Sequence, residues 1–333
     1  MRRLKNSKNT FCFCLMLLLG ASVAQGQNAA PEAMGVTGAG NYIRVVEDLD
    51  RTVAFYYALV GVEPRGGLVQ RDFGLLEPVA SMYNAVGGEF RGASFTVPNT
   101  TFVLEHLEWR DVDRSMQHTR IDEVGTAVLL LFVRDMDAAI QAILDQGGSI
   151  VTPGAAPVTT ENGKFILAQD PDGYFVELLQ INAMTLQSDS NVLTGRFRLT
   201  VADAEKSARF YQDALGFAFP AAGSFSSDAI LSAMNGTSQA SRLISAQVPG
   251  STLLTELIDY QGMAESRLQQ QLPRIGSSML RIFVSDLDSV VSHALDAGAV
   301  LAVNNEQQVE LNGSRFQIIE DPDGLLIQFV QRP

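Results

Sequence analysis

One short pattern occurs twice in the chain, and this duplication limits the possible folds more than any other feature. An apolar run, an Asp-Pro-Asp-Gly turn and a second apolar run occupy residues 165–180 and again residues 315–331. In such a turn proline fixes φ, glycine relieves crowding, and the leading aspartate can accept hydrogen bonds from the backbone. Each stretch is therefore predicted to be a β-hairpin.

The same interval separates other matched residues. Asp321 lies 151 residues after Asp170, and Glu256 lies 151 residues after Glu105. An interval that persists along the chain indicates a tandem duplication. Glu177 is the one polar residue in the apolar run after the first turn, so its carboxylate is predicted to point into an enclosed space. Gln328 occupies that place in the second copy.

A smaller unit recurs four times, as a strand ending in Val-x-Asp, a helix of about three turns and a glycine stop. The aspartates, which suit helix N-caps, are Asp48, Asp135, Asp203 and Asp286. The glycines, which suit left-handed C-caps, are Gly61, Gly147, Gly216 and Gly298. With the strands after each helix, the unit is βαβββ. The predicted fold class is α+β, with four modules in two tandem domains at 38–182 and 192–333.

Residues 1–26 have the pattern of a secretory signal peptide. Four basic residues precede an apolar run at 11–19, and small residues follow, which predicts cleavage between Ala24 and Gly26. The apolar run is too short to span a bilayer comfortably. The protein is therefore expected to be exported, periplasmic or secreted, and free of the membrane after cleavage.

Composition excludes several classes of function. Both cysteines, Cys12 and Cys14, lie in the leader, so the mature chain would hold no disulfide and no thiolate metal site. The chain has 37 acidic and 24 basic residues, and four of the basic ones are in the leader. Such an acidic surface repels nucleic acid and anionic lipid. The expected partner is a small molecule, and the chain could be a monomer or a homodimer.

The Val-x-Asp strand ends, the helices AFYYALVGVEP and ARFYQDALGFAFP, and the Asp-Pro-Asp-Gly turns together resemble the vicinal oxygen chelate superfamily. That superfamily includes glyoxalases, extradiol dioxygenases and antibiotic-binding resistance proteins. The resemblance covers nearly all of the mature chain. It implies that two modules pair into one cupped sheet, so that each tandem domain offers one cup. Because many activities share this scaffold, the resemblance predicts the fold and not the reaction.

The resemblance also implies where a metal would be held, namely by side chains from the first and last strands of the modules. A common first ligand there is histidine, but the four matching positions here are Asn41, Val128, Arg196 and Met279. The last-strand positions are Glu105, Glu177, Glu256 and Gln328. In domain one Asn41, Glu105 and Glu177 supply three oxygen donors, which predicts at most a weak manganese, magnesium or iron site. Alternatively, Glu105 and Glu177 line a metal-free pocket, where one could act as a general base.

Domain two is predicted to have a more basic cup. Its candidate ligand-binding residues are Arg196, Arg198, Glu256, Arg281 and Gln328. Guanidinium groups bind carboxylate or phosphate in a bidentate fork, so an anionic ligand is expected. The alternative is that these side chains satisfy one another and fill the pocket.

Three hypotheses of function remain open at this point. The first is an exported protein that binds a small molecule in its cups without a cofactor and without the usual histidine-based metal site. The second is a metal-dependent lyase, isomerase or dioxygenase that uses the carboxylates of domain one. The third is a noncatalytic structural or interaction protein whose cups are filled. His106 follows Glu105 on the same strand, so it is predicted to face away from the cup.

Overall fold

The computed structural model describes residues 34–65, 73–235, 239–262, 267–302 and 308–333. The predicted leader lies outside these residues. The first module contains β1 (Val36–Val46), α1 (Leu49–Val60), α2 (Glu77–Met82), β2 (Glu89–Thr96) and β3 (Val103–Arg110). The second contains β4 (Ala127–Val133), α3 (Met136–Asp145), β5 (Ser149–Ile150), β6 (Val158–Thr160), β7 (Gly163–Gln169) and β8 (Phe175–Ile181).

The third module contains β9 (Val192–Thr200), α4 (Ala204–Leu215), β10 (Ser226–Asp228), α5 (Ala229–Asn235), β11 (Gln239–Gln247) and β12 (Leu254–Tyr260). The fourth contains β13 (Ser278–Val284), α6 (Leu287–Asp296), β14 (Val300–Leu301), β15 (Val309–Leu311), β16 (Ser314–Glu320) and β17 (Leu326–Gln331). The predicted α+β class and the four repeated modules are confirmed. Modules one and three each add a short helix, α2 or α5, that the repeat pattern did not predict.

Local sequence signals fix the ends of the long helices as predicted. The side chains of Asp48, Asp135, Asp203 and Asp286 each accept a hydrogen bond from a backbone N–H in the first turn of the helix that follows. Gly61 and Gly216 end α1 and α4 with φ of 74° and 70°, a left-handed conformation that suits glycine.

The two Asp-Pro-Asp-Gly turns join antiparallel strands, β7 with β8 and β16 with β17, which confirms both hairpins. In the first turn one oxygen of Asp170 accepts from the backbone N–H groups of Asp172 and Tyr174. Asp321 accepts in the same way from Asp323 and Leu325. Each leading aspartate therefore organises its turn as the sequence indicates.

The pairing of modules differs from the prediction. One sheet has the strand order β14-β16-β17-β13-β1-β3-β2, and the other has the order β10-β11-β12-β9-β4-β8-β7-β5. Module one therefore pairs with module four through β1 and β13, and module two pairs with module three through β4 and β9. The expectation that each tandem half forms its own cup was wrong.

Two connections explain how the modules exchange partners. The segment from β3 to β4 and the segment from β12 to β13 each lead from one sheet to the other. They meet in parallel bridges between Met116 and Ile275 and between Val124 and Arg267. Either pairing of modules would bury the same alternating apolar residues, so strand periodicity could not choose between them.

The long helices cover one face of each sheet, and the main core lies on that side. Helix α1 packs against α3, and α4 packs against α6. Tyr56 and Tyr211 are buried in this core, whereas Tyr57 is 49% exposed because it points away from the sheet. Within the described ranges, no helix is both long enough and apolar enough to cross a membrane.

Candidate functional site

The faces of the two sheets that lie opposite the long helices each carry a polar cluster. Cup A, on the sheet of modules one and four, has a floor of Asn41, Glu105, Arg281 and Gln328. Cup B, on the sheet of modules two and three, has a floor of Glu177, Arg196, Arg198 and Glu256. Both floors are surrounded by apolar side chains, an arrangement common in small-molecule sites.

The floor of cup A is a chain of hydrogen bonds. Glu105 accepts from Asn41 Nδ2 at 2.5 Å and from Arg281 Nη1 at 3.2 Å. Arg281 also donates from Nε to Gln328 at 2.6 Å. Strand β1 has a bulge here, and it carries a glycine at position 40. A Cβ at Gly40 would stand 2.9 Å from Arg281 Cγ. Glycine there makes room for the arginine side chain to lie across β1.

Apolar and aromatic residues cover cup A. Helix α2 lies over it, and Met82 Sδ accepts a hydrogen bond from Gln328 Nε2 at 2.8 Å. Tyr83 and Trp109 are buried beside the floor, with ring centroids 5.3 Å apart. The side chains of Glu105 and Arg281 keep 22% and 20% of their surface exposed. The floor of cup A is therefore partly covered and still reachable by solvent.

Ion pairs dominate the floor of cup B. Arg198 Nη1 donates to Glu177 at 2.5 Å, while its Nε and Nη2 donate to Glu256 at 3.0 and 2.8 Å. Arg196 Nη1 reaches the other oxygen of Glu256 at 2.8 Å, and its guanidinium lies 4.9 Å from the ring of Phe132. Arg198 thus bridges two buried carboxylates, and Arg196 lies nearer the solvent, with its side chain 30% exposed.

The two carboxylates of cup B differ in pKa. Burial raises the pKa of Glu177 to about 7, opposed by Arg198 and supported by the charges of Glu256 and Asp228. Burial also acts to raise the pKa of Glu256, but Arg198 and Arg196 outweigh it, so that pKa is lowered. Near neutral pH, Glu256 is ionised, while Glu177 is divided between its protonated and ionised forms.

Helix α5 covers cup B as α2 covers cup A. Leu231 is buried in the apolar cluster of cup B, and Ile230 and Met234 pack against that cluster. Helices α2 and α5 occupy corresponding places in modules one and three. The duplicated chain therefore carries two cups of the same construction with different polar floors.

The structure separates residues that the sequence had grouped. The predicted metal set of Asn41, Glu105 and Glu177 was wrong, because Glu177 lies on the other sheet. The predicted basic cup was also wrong in part, since Arg281 and Gln328 lie in cup A and not with Arg196, Arg198 and Glu256. Both errors follow from the exchange of module partners. Arg196, Arg198 and Glu256 do come together as predicted.

The residues present do not fit the metal that the fold family implies. In cup B the guanidinium of Arg198 lies between the two carboxylates that would be ligands. In cup A the single carboxylate is paired with Arg281. Among the residues that the structure describes, no group of three or more His, Cys, Asp or Glu side chains is arranged to hold a metal ion. Arginine supplies the positive charge at both floors.

One buried polar cluster was not predicted. Arg44 is fully buried on the helix-covered face, where it contacts Asp170 at 3.3 Å and donates to the hydroxyl of Tyr56. His106 lies there too, stacked on Tyr56 at 4.5 Å, which confirms that it faces away from the cup. Burial, with a contribution from Arg44, holds the pKa of His106 well below its usual range. The duplication carried a signal for this cluster. Leu199 and Leu257 stand in the second half at the positions that match Arg44 and His106, so polar residues of the first half replace apolar ones.

A cleft of about 960 Å³ lies away from the cups, between α4 and α6. Its lining includes the exposed side chains of Lys206, Arg209 and Asp213. A solvated surface of mixed charge selects no particular ligand chemistry, whereas the cups combine buried polar groups with apolar walls. The cups are therefore the candidate functional sites.

Comparison with known proteins identifies the family. The sequence family model of the Glyoxalase/Bleomycin resistance protein/Dioxygenase superfamily matches residues 38–178 and 194–329. The chain belongs to this superfamily. The resemblance drawn from the sequence motifs is confirmed, and the two matched segments fall within the predicted tandem domains. No curated protein matches the sequence of this superfamily member.

Solved structures of the superfamily share the fold of this chain. Glyoxalase I from Zea mays is 22% identical with a TM-score of 0.58, over 89% of this chain and 92% of that chain. A putative dioxygenase from Bacillus subtilis is 10% identical with a TM-score of 0.53, over 90% of this chain and 86% of that chain. Identities this low show a common fold with two tandem domains and do not transfer an activity.

Proposed function

We propose that this superfamily member binds a small organic anion in cup B, without a metal ion in that cup. The observation that carries the proposal is the position of Arg196. Within the described residues its guanidinium donates through Nη1 alone, which leaves Nε and Nη2 available, and its side chain is 30% exposed. A carboxylate can accept two hydrogen bonds from such a fork.

The rest of cup B supports this role. Glu256 is already paired with Arg198, so an anion at Arg196 need not compete for the only cation of the floor. The ring of Phe132 and the apolar residues around it offer contacts for the uncharged part of a ligand. Cup B therefore suits a molecule with one carboxylate and a small apolar body.

Calorimetric titration with acetate, benzoate and succinate tests the proposal. We expect saturable binding of at least one of these anions, with affinity reduced at least tenfold in Arg196→Met. That variant leaves no carboxylate unpaired, because Arg198 still holds Glu256. The matched control is Asn41→Ala, which changes the corresponding position in cup A and should bind unchanged. If none of the anions binds, the third hypothesis, of filled cups, is favoured.

Metal removal separates this proposal from a metal-dependent enzyme. Anion binding should be the same before and after dialysis against a chelator, because arginine and not a metal ion supplies the positive charge. Loss of binding on dialysis, with recovery on adding manganese, magnesium or iron, would contradict the proposal.

The affinity should also depend on pH. Glu177 is faced by Arg198 from β9, Glu256 from β12 and Asp228 from β10. With a pKa of about 7, Glu177 loses its negative charge as pH falls, which reduces repulsion of an anion nearby. Binding should therefore tighten by up to about tenfold from pH 8 to pH 6. In Glu177→Gln this change should disappear.

We also propose that the protein is exported. Support comes from the sequence of residues 1–26, which lie outside the described part of the structure. Expression of the full chain in a bacterial host, followed by mass measurement of the periplasmic protein, tests this. A mass that corresponds to cleavage between Ala24 and Gly26 is expected, and uncleaved protein confined to the cytoplasm would contradict it.

A further inference from the structure

Cup A has fewer charged side chains on its floor than cup B, and the duplication makes the two directly comparable. Asn41 and Ile43 occupy the positions that correspond to Arg196 and Arg198. Cup A keeps one ion pair on its floor, between Arg281 and Glu105, so the floor is neutral. An ion entering this cup would lose hydration without meeting an unpaired opposite charge. Cup A therefore favours an uncharged molecule.

Two buried hydrogen-bond donors in cup A have no partner among the described residues. They are Tyr83 Oη and Trp109 Nε1, and their residues are 2% and 1% exposed. Burial raises the pKa of Tyr83, with a further contribution from Glu105, so the hydroxyl remains protonated. A buried donor without an acceptor carries a free-energy cost, because it has lost its hydrogen bonds to water. An oxygen acceptor carried by a ligand would remove that cost for both groups.

The two donors belong to a cluster of three aromatic rings. The centroid of the Trp109 ring lies 5.3 Å from that of Tyr83 and 5.0 Å from that of Phe90. In cup B the positions of Tyr83 and Trp109 are held by Met234 and Tyr260. Three neighbouring rings favour contact with another planar ring, by stacking or edge to face.

We propose that cup A binds an uncharged aromatic molecule through an acceptor oxygen that receives hydrogen bonds from Tyr83 and Trp109. This site is separate from the anion site of cup B and does not depend on it. One chain then carries two sites of different specificity. The replacement of Arg196 and Arg198 by Asn41 and Ile43, together with the aromatic pair, sets that difference.

Entry of the ligand requires α2 to shift, because this helix and Met82 cover the cup. The helix has six residues, and its N-cap, Leu76, makes no side-chain hydrogen bond. A helix this short is only marginally stable by itself, so its position depends on its packing over the cup. Trp109 lies on β3 in the body of the sheet and is expected to stay in place.

Trp109 is the single tryptophan of the chain, so its fluorescence reports on cup A alone. The probes are benzamide, which is uncharged and has a carbonyl oxygen, benzoate, which is charged, and toluene, which has no acceptor. We expect a saturable change of Trp109 emission with benzamide, and at least tenfold weaker responses with benzoate and toluene. No saturable change with benzamide, or equal affinity for benzoate, would overturn the proposal.

Tyr83→Phe is the decisive variant. It removes a hydroxyl without a partner among the described residues, so the fold should be as stable as before. We expect its affinity for benzamide to fall at least fivefold, and an unchanged affinity would refute the role of the hydroxyl. Arg196→Met should leave benzamide binding unchanged. Failure of anion binding in cup B would leave the Trp109 result intact, so the two proposals fail independently.

Discussion

Arg198 lies between two carboxylates that the fold buries on the floor of cup B. Glu177 and Glu256 are 5% and 3% exposed, and Arg198 donates to both. A buried charge that loses its partner is far more costly than an exposed one. The stability of cup B therefore depends on the charge state of these three side chains.

Removing the bridging cation should be costly at high pH and much less so at low pH. In Arg198→Met two buried carboxylates lose their common partner, and we expect a loss of about 3–5 kcal/mol in the free energy of unfolding at pH 8. Without Arg198 nothing opposes the rise in the pKa of Glu177, so this carboxyl becomes neutral as the pH falls through neutrality and the loss should shrink. Urea denaturation across this pH range measures the effect.

A matched variant separates charge from packing in this test. Adding Glu177→Gln to Arg198→Met removes the carboxylate that is left without a cation, while Arg196 still pairs with Glu256, and should recover most of the stability at pH 8. A loss that is the same at all pH values would instead indicate that packing of the arginine side chain dominates.

Glu177 should make the protein less stable as the pH rises towards neutrality. Its pKa is about 7 in the folded state against 4.5 in the unfolded chain, so the folded protein keeps this proton over that interval. The stabilising contribution of the protonated form is complete below pH 4.5 and is lost as the pH approaches 7. The difference is about 3 kcal/mol.

Comparison of the wild type with Glu177→Gln isolates this contribution. Asp170 and Asp321 also have raised pKa values, but they are present in both proteins and cancel in the difference. As the pH rises from 4.5 to 7, the free energy of unfolding of the variant, measured by urea denaturation, should increase relative to that of the wild type. A difference that does not change with pH would contradict the raised pKa of Glu177.

At the scale of elements, the two Asp-Pro-Asp-Gly turns attach each hairpin to a helix N-terminus. Asp172 accepts from the backbone N–H of Glu47, from Thr52 Oγ1 and from Arg51 Nη2. Asp323 contacts the backbone N–H of Ala202 and the hydroxyl of Ser207 in the same manner. These contacts hold module one against module two, and module three against module four, although each sheet joins modules from both halves.

The two turns should respond differently to the same substitution. Burial raises the pKa of Asp323, whereas Asp172 forms an ion pair with Arg51 at 2.8 Å. We expect Asp172→Asn to cost about 2 kcal/mol at pH 7, because it loses a charged hydrogen bond, and Asp323→Asn to cost less than about 1 kcal/mol. Thermal and urea unfolding of the two variants provide the comparison, and equal losses would contradict it.

At the scale of the whole molecule, neither tandem half can complete a cup alone. Each sheet has its central antiparallel contact between halves, β1 with β13 and β4 with β9. Each sheet therefore takes one module from the first half of the duplication and one from the second half. Folding of both cups requires contacts between residues at least 59 positions apart along the chain, the separation of Val133 and Val192.

After cleavage of the chain between the halves, the two fragments should stay associated. A protease site inserted after Leu186, which is 46% exposed in the linker, allows cleavage of the folded protein. We expect the fragments to co-elute in size-exclusion chromatography and to unfold in a single transition, because both sheets cross the cut. Two separable fragments that each unfold cooperatively would support the pairing of neighbouring modules instead.

The local features of this protein were determined by its sequence. Helix caps at Asp48 and Asp203, both hairpins, and the inward direction of Glu177 follow from interactions between residues close together in the chain, and the duplication repeats each of them. The tertiary structure alone decided which module lies beside which, because either pairing satisfies the same alternation of apolar and polar residues. It thereby moved Glu177 away from Asn41 and Glu105, and placed the guanidinium of Arg198 between two carboxylates.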